Sequence, residues 1–189
     1  VRFYDRREIR DLMAYLKLVA NPADDEAFRR AVAVPRRGIG DTTVEALAMS
    51  AQRAGQPMLA AAMDPMIVGG FRPAARQALQ AFVELLARLR AMAIDASVDA
   101  VLREIIERTG YIDHLRAEGP EGQDRIDNVR ELVAGAAESV MEEGGEVGLT
   151  PLDHFLQHTS LVAGVDALEA GADAVTLMTL HNAKGLEFP

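Results

Sequence analysis

Apolar residues recur along most of this chain at the spacing of helices rather than of strands. Ile9, Leu12, Met13, Leu16 and Val19 stand at i, i+3, i+4, i+7 and i+10, one stripe of a 3.6-residue turn. That stripe predicts a helix over 5–20, ended by Asn21-Pro22. Asp24 or Asp25 is placed to cap a short second helix with Phe28, Ala31 and Val32 inward and Arg29 and Arg30 beside them. Thr42-Thr43-Val44-Glu45 has the form of a capping box, so a third helix is expected from near Thr42 to about Ala54, stopped by Gly55. A short helix around 57–63 follows, then loops at Asp64-Pro65 and Gly69-Gly70. The strongest run is 73–93, with Ala78, Leu79, Phe82, Leu85, Leu86 and Leu89 in one stripe. Ser97 opens and Gly110 closes a helix carrying Val101, Leu102, Ile105 and Ile106, and Tyr111 to Leu115 adds one turn or two. Glu118 to Gly122 reads as a loop, and 123–140 as a helix with Ile126, Val129, Leu132 and Val133. Thr150-Pro151-Leu152-Asp153 supplies an N-cap, a proline at the first helical position and a first-turn acid, for a helix to about 162.

Only Val175-Thr176-Leu177-Met178-Thr179-Leu180 has the look of a strand. A lone strand cannot satisfy its own backbone, so it is expected to pair outside this chain. The predicted fold class is therefore all-α, several helices long, with one short C-terminal strand.

Composition agrees. Of 189 residues, 49% are hydrophobic and 5% aromatic, with no Trp. The prominence of Ala and Leu favours helices over sheets. There is no Cys, which excludes disulfides and thiolate metal sites and suits a reducing, cytoplasmic setting. No apolar run approaches the ~20 residues that a membrane-spanning helix needs. The opening Val1-Arg2-Phe3-Tyr4-Asp5 lacks Met and resembles no signal peptide, so a piece of a longer protein is expected. The net charge of −9 is unevenly spread. Residues 1–130 hold 19 Lys and Arg against 19 Asp and Glu, whereas 131–183 hold nine acids and no Lys or Arg. A polyanion would be repelled by the second part and tolerated by the first.

The candidate chemistry centres on Val34-Pro35-Arg36-Arg37-Gly38-Ile39-Gly40-Asp41-Thr42-Thr43-Val44. Two glycines flank one aliphatic residue at a helix–helix joint, where the backbone can turn sharply and approach another molecule. The amides that open the next helix favour an anion. Arg36 and Arg37 add forked donors suited to phosphate. Two readings stand: a hairpin that holds a nucleic-acid backbone, and a plain helix–helix turn with solvated arginines. Segment 66–92 carries Arg72, Arg76, Arg88 and Arg90 against Glu84 alone. Arg72 and Arg76 at its start are a second candidate for phosphate contact, with an ordinary exposed face as the other reading. Arg125, Asn128 and Glu131 share a helix face and read as a polar tie to neighbours rather than a catalytic site. His154 and His158 are four apart, a spacing that can hold metal, but surface placement is the simpler reading, and no metal site is expected.

The tail Thr179-Leu180-His181-Asn182-Ala183-Lys184-Gly185-Leu186-Glu187-Phe188-Pro189 closely resembles motif V of the UvrD/Rep/PcrA group of superfamily 1 DNA helicases. Arg2 to Asp11 looks like the block these helicases carry just before their 2B subdomain. Val34 to Thr43 resembles their Gly-Ile-Gly element, and Gln123 to Leu132 resembles their Arg-x-x-Asn-x-x-Glu-Leu block. The resemblance runs the whole chain in the right order.

It implies a fragment: residues 1–21 an end piece of the 2A motor domain, 22–173 a helical 2B subdomain with helix-hairpin elements, and 174–189 the returning 2A strand and motif V. By resemblance, Gly38, Ile39 and Gly40 lie at a duplex backbone with Arg36, Arg37, Thr42 and Thr43 around them. Thr179 and His181 would face single-stranded DNA, Gly185 and Glu187 the ATP sugar and phosphates, with Lys184 near the site. The implied parent is an ATP-dependent 3′–5′ DNA helicase of repair or replication, using ATP and Mg²⁺. Its expected partners are duplex and single-stranded DNA, the motor domains 1A and 2A, and repair proteins. The fragment lacks a phosphate loop, so it is expected neither to hydrolyse ATP nor to hold a nucleotide. Two alternatives are kept: a regulatory protein-docking module, through the acidic 131–183 or the Arg-rich 73–90, and the equivalent part of a helicase–nuclease.

Overall fold

The computed structural model describes residues 2–138 and 149–166, with side chains as far as 161. Among the described residues there are ten α-helices and no strand. The predicted strand at 175–180 lies outside them. After a 3-10 turn at Phe3–Asp5 come α1 (Arg7–Ala20), α2 (Asp25–Ala33), α3 (Asp41–Ala54), α4 (Met58–Met63), α5 (Pro65–Val68), α6 (Pro73–Met92), α7 (Val98–Thr109), α8 (Tyr111–Arg116), α9 (Pro120–Glu138) and α10 (Pro151–Asp166).

The predicted stripes are the buried faces. α1 is more buried than its stripe alone required: Ile9, Leu12, Tyr15, Leu16 and Leu18 are all fully inside, and the helix packs on α2, α6, α7, α9 and α10. It is the central helix of the body. The α6 stripe places Leu79, Phe82, Leu86 and Leu89 in the core, where Phe82 meets Phe28 edge to face at 5.5 Å. Such pairing suits the ring quadrupoles.

Buried polar groups tie the start of the chain to its later helices. Asp11 accepts from the Tyr111 hydroxyl at 2.8 Å and pairs with Arg30 at 2.7 Å. Glu8 accepts from the Asn128 side-chain amide at 2.6 Å, and Asn128 in turn accepts from Arg6. The expected polar tie of α9 is thus made by Asn128, and by Arg125 through Glu118; Glu131 is exposed and takes no part.

Some details differ from expectation, and α1 itself starts at Arg7 rather than at residue 5. α3 starts at Asp41 with Gly40 as its N-cap, and the expected Thr42–Glu45 box is not formed. Glu45 instead pairs with Arg29 of α2 at 2.5 Å. The Asp64-Pro65 loop holds the short α5, because the Asp64 carboxylate accepts from the Met66 amide at 2.9 Å and Pro65 suits the first helical position. α9 begins at Pro120, inside the expected loop, because Gly122 is the point where α9 lies against α8. A Cβ there would stand 2.0 Å from the Leu115 carbonyl oxygen. α10 runs on to Asp166, four residues past the expected end. It opens on the box that α3 lacks: the Thr150 amide donates to Asp153 at 3.0 Å, and the Asp153 amide to Thr150 Oγ1 at 3.2 Å.

Candidate nucleic-acid interface

Residues 34–40 carry the chain from α2 to α3. Asp24 caps α2 by accepting from the Ala27 amide at 2.8 Å, and Asp25 reaches across to the Met58 amide at the start of α4 at 2.8 Å. These acids hold α2 in place, so the direction in which the turn leaves it is fixed. The Val34-Pro35 peptide bond is cis. Gly38 takes φ +84°, in the left-handed region that a glycine enters without steric cost. Its Cα side faces α6: a Cβ at Gly38 would lie 3.9 Å from that of Ala78. The turn is therefore seated on α6.

The two arginines go opposite ways. Arg36 is exposed and makes no hydrogen bond or ion pair with any described residue. Arg37 turns inward. Its Nη2 donates to the Tyr15 hydroxyl, to the Val34 carbonyl at 3.1 Å and to the Ala31 carbonyl at 3.3 Å, and its Nε donates to the Pro35 carbonyl at 3.3 Å. The guanidinium carbon lies 4.9 Å from the centre of the Phe82 ring and 5.7 Å from that of Tyr15, within cation–π range. The Tyr15 hydroxyl donates in turn to the Val34 carbonyl at 2.7 Å. Burial pushes the Tyr15 phenol up to about 12, against a smaller lowering by Arg37, so it stays a donor at neutral pH.

The glycines split as well. Ile39 between them is 8% exposed and belongs to the core, so the element offers a ligand the backbone of Gly38 and Gly40 rather than the Ile39 side chain. At the head of α3 the Thr43 and Val44 amides bond the Gly40 carbonyl at 2.9 and 3.1 Å. The Asp41 and Thr42 amides, on exposed residues, donate to no described acceptor. Thr42 is exposed and Thr43 half-buried. Arg36, five residues before the first residue of α3, offers a charge, and the Asp41 and Thr42 amides offer donors, to phosphate oxygens, against the one exposed acid of that first turn, Asp41.

Arg72 is the N-cap of α6 and Arg76 lies in its first turn, both exposed and unpaired among the described residues. The turn touches α6 at Ala78, two residues on from Arg76 and so about 200° round the helix. The structure thus brings the turn and α6 together without placing Arg72 or Arg76 against Arg36. The motif V candidates Thr179, His181, Lys184, Gly185 and Glu187 lie outside the described residues. Among the described ones, no three or more His, Cys, Asp or Glu gather to hold a metal ion, and no helix is long and apolar enough to cross a membrane.

Tyr15 and Phe82 are the residues that motif reading missed. Phe82 sits in the α6 stripe and Tyr15 beside the α1 stripe, where an aromatic side chain signals core and nothing marks it as a support for a distant loop.

Comparison with known proteins matches a model of the UvrD-like helicase C-terminal domain to residues 1–64 and 70–189. The chain is 40% identical over 205 residues to the ATP-dependent DNA helicase UvrD1 of Mycobacterium tuberculosis. It is 38% identical over 193 residues to DNA helicase II of Escherichia coli, and 38% identical over 195 residues to the ATP-dependent DNA helicase PcrA of Bacillus subtilis. In each case all of this chain is covered, and it spans about a quarter (26%) of the relative's length.

Proposed function

The chain belongs to the UvrD-like helicase C-terminal domain family, and on that premise we propose that it is the accessory 2B subdomain of an ATP-dependent 3′–5′ DNA helicase. Its role is to hold the backbone of duplex DNA near the fork while a motor elsewhere in the protein does the work. In this reading residues 1–21 and 174–189 belong to the 2A motor domain, and 22–173 form the subdomain. ATP and Mg²⁺ serve that motor, with Thr179, His181, Lys184, Gly185 and Glu187 among the residues facing nucleotide and single strand.

The observation that carries the proposal is the turn itself. Arg36 and the first two residues of α3 are exposed within six positions of one another, and Arg36 makes no ion pair with any described acid, Asp41 of α3 included. Arg72 and Arg76, at the start of α6, are a second and separate pair of exposed, unpaired arginines. Contacts of this type recognise phosphate and not base edges, so they give affinity without sequence preference. A helicase needs that indifference, because it must process whatever sequence it meets.

The test is duplex binding by the chain with Arg36, Arg72 and Arg76 each replaced by Ala. Each substitution should weaken binding to two duplexes of unrelated sequence by the same factor. Unchanged affinity in all three variants, or a loss confined to one duplex sequence, would overturn the proposal.

A further inference from the structure

Arg37 sits beside Arg36 in sequence and resembles it chemically, yet the fold uses the two residues differently. We propose that Arg37, with Tyr15 and Phe82, is the positioning residue of the turn: it holds the backbone that presents Arg36 and the α3 amides, and it touches no phosphate. This rests on the reading of 34–43 as a backbone-holding hairpin.

The geometry carries it. An α-helix leaves its last carbonyls without partners. Arg37 returns to those of α2, meeting the Ala31 carbonyl in its last turn and the Val34 carbonyl at its C-cap. A cation there also complements the negative end of the helix dipole. Its Nε donates to the Pro35 carbonyl, and its guanidinium carbon lies within cation–π range of both Phe82 of α6 and Tyr15 of α1. Tyr15 closes the loop: its hydroxyl accepts from Arg37 and donates to the same Val34 carbonyl at 2.7 Å. One side chain thus fixes the exit from α2 to two other helices at once.

Moving Arg37 out to a phosphate would take away its bonds to the Ala31 and Pro35 carbonyls, leave Val34 with Tyr15 alone, and remove the guanidinium from beside Tyr15 and Phe82. Arg36 needs no such rearrangement. Lysine cannot replace Arg37, because a single ammonium has neither the fork nor the flat face that the site uses.

The test compares Arg37→Lys, Arg37→Gln and Tyr15→Phe in the full chain, with two readouts. One is amide hydrogen exchange across 34–44; the other is binding of a labelled blunt DNA duplex as salt is varied. All three variants should raise exchange in 34–44 while α9 stays protected. All three should weaken binding by roughly three- to tenfold, with the dependence of log affinity on log salt kept at the wild-type slope.

A phosphate ligand would behave otherwise: Lys would keep most of the affinity, and Gln would lower the slope by about 0.9. Either result overturns the proposal, as does unchanged exchange in Tyr15→Phe, a variant that removes one oxygen and leaves the ring packed. The exchange readout needs no DNA. If the wild-type chain shows no salt-dependent duplex binding, the hairpin reading fails, and the role of Arg37 within the turn is still decided.

Discussion

At the scale of single residues, the molecule repeatedly turns a charge that looks solvated into part of its interior. Asp11 is 2% exposed and is satisfied by Tyr111 and Arg30 together. Burial, with Asp11 beside it, holds the Tyr111 phenol well above the ordinary tyrosine range, so its hydroxyl remains the donor this pair requires. Glu118 shows the opposite balance. Desolvation raises its pKa, but the hydrogen bond and charge of Arg7, with the charges of Arg125 and His114, outweigh that and hold it below the ordinary value of 4.5. A carboxyl depressed in the folded state binds fewer protons there than when unfolded. It therefore contributes stability above the ordinary pKa and loses it as pH falls through the folded value. Melting temperature should consequently drop more steeply below about pH 4.5 in the wild-type chain than in Glu118→Gln. Parallel profiles would show that the link from α1 to α9 through Arg7, Glu118 and Arg125 contributes nothing to the acid dependence.

At the scale of elements, the joint between α8 and α9 gives the sharpest stability prediction. Gly122 lies where a Cβ would meet the Leu115 carbonyl oxygen at 2.0 Å, whereas a Cβ on Gly135, in the same helix, would meet nothing within 4 Å. Gly122→Ala should cost at least about 2 kcal/mol through forced separation of the helices. Gly135→Ala should stabilise by about 0.5 kcal/mol or more, since glycine is the poorer helix former. Denaturant unfolding of both variants measures this, and equal midpoints would contradict it. The same glycine shows why α9 began earlier than its sequence suggested. Pro120 and Gly122 carry turn chemistry, and only the neighbouring α8 reveals that the glycine is there for close approach. The stripes of α1, α6 and α7 were legible because a helix buries one face, whatever it packs against. The division of labour between Arg36 and Arg37 was not, because it depends on Tyr15, 22 residues earlier, and on Phe82 far along the chain. Likewise Thr42-Thr43-Val44-Glu45 has the letters of a capping box, and the competing partner of Glu45, Arg29, stands on another helix.

At the scale of the whole molecule, the arginines fall into two populations. Arg7, Arg29, Arg30, Arg103, Arg108, Arg116, Arg125 and Arg130 all lie in ion pairs. Those of the middle of the chain, Arg36, Arg37, Arg53, Arg72, Arg76, Arg88 and Arg90, have no acid partner among the described residues, Arg37 being turned inward, and neither do Arg2, Arg6, Arg10 and Lys17 at its start. Exposed pairs of the first kind contribute little to stability. They do neutralise their neighbourhood, so the field felt by an approaching polyanion comes from the unpaired side chains of both signs, Asp41 and Glu84 among them. The net charge of −9 misleads because the acids of 131–183 lie elsewhere in the sequence. Salt dependence is the most direct measurement of the central claim, that the turn at 34–43 grips a phosphate backbone. Duplex affinity of the wild-type chain should fall linearly with log salt, and Arg36→Ala should reduce that slope by about 0.9, one phosphate contact. A wild-type affinity indifferent to salt, or an Arg36→Ala slope equal to the wild-type one, would contradict the account.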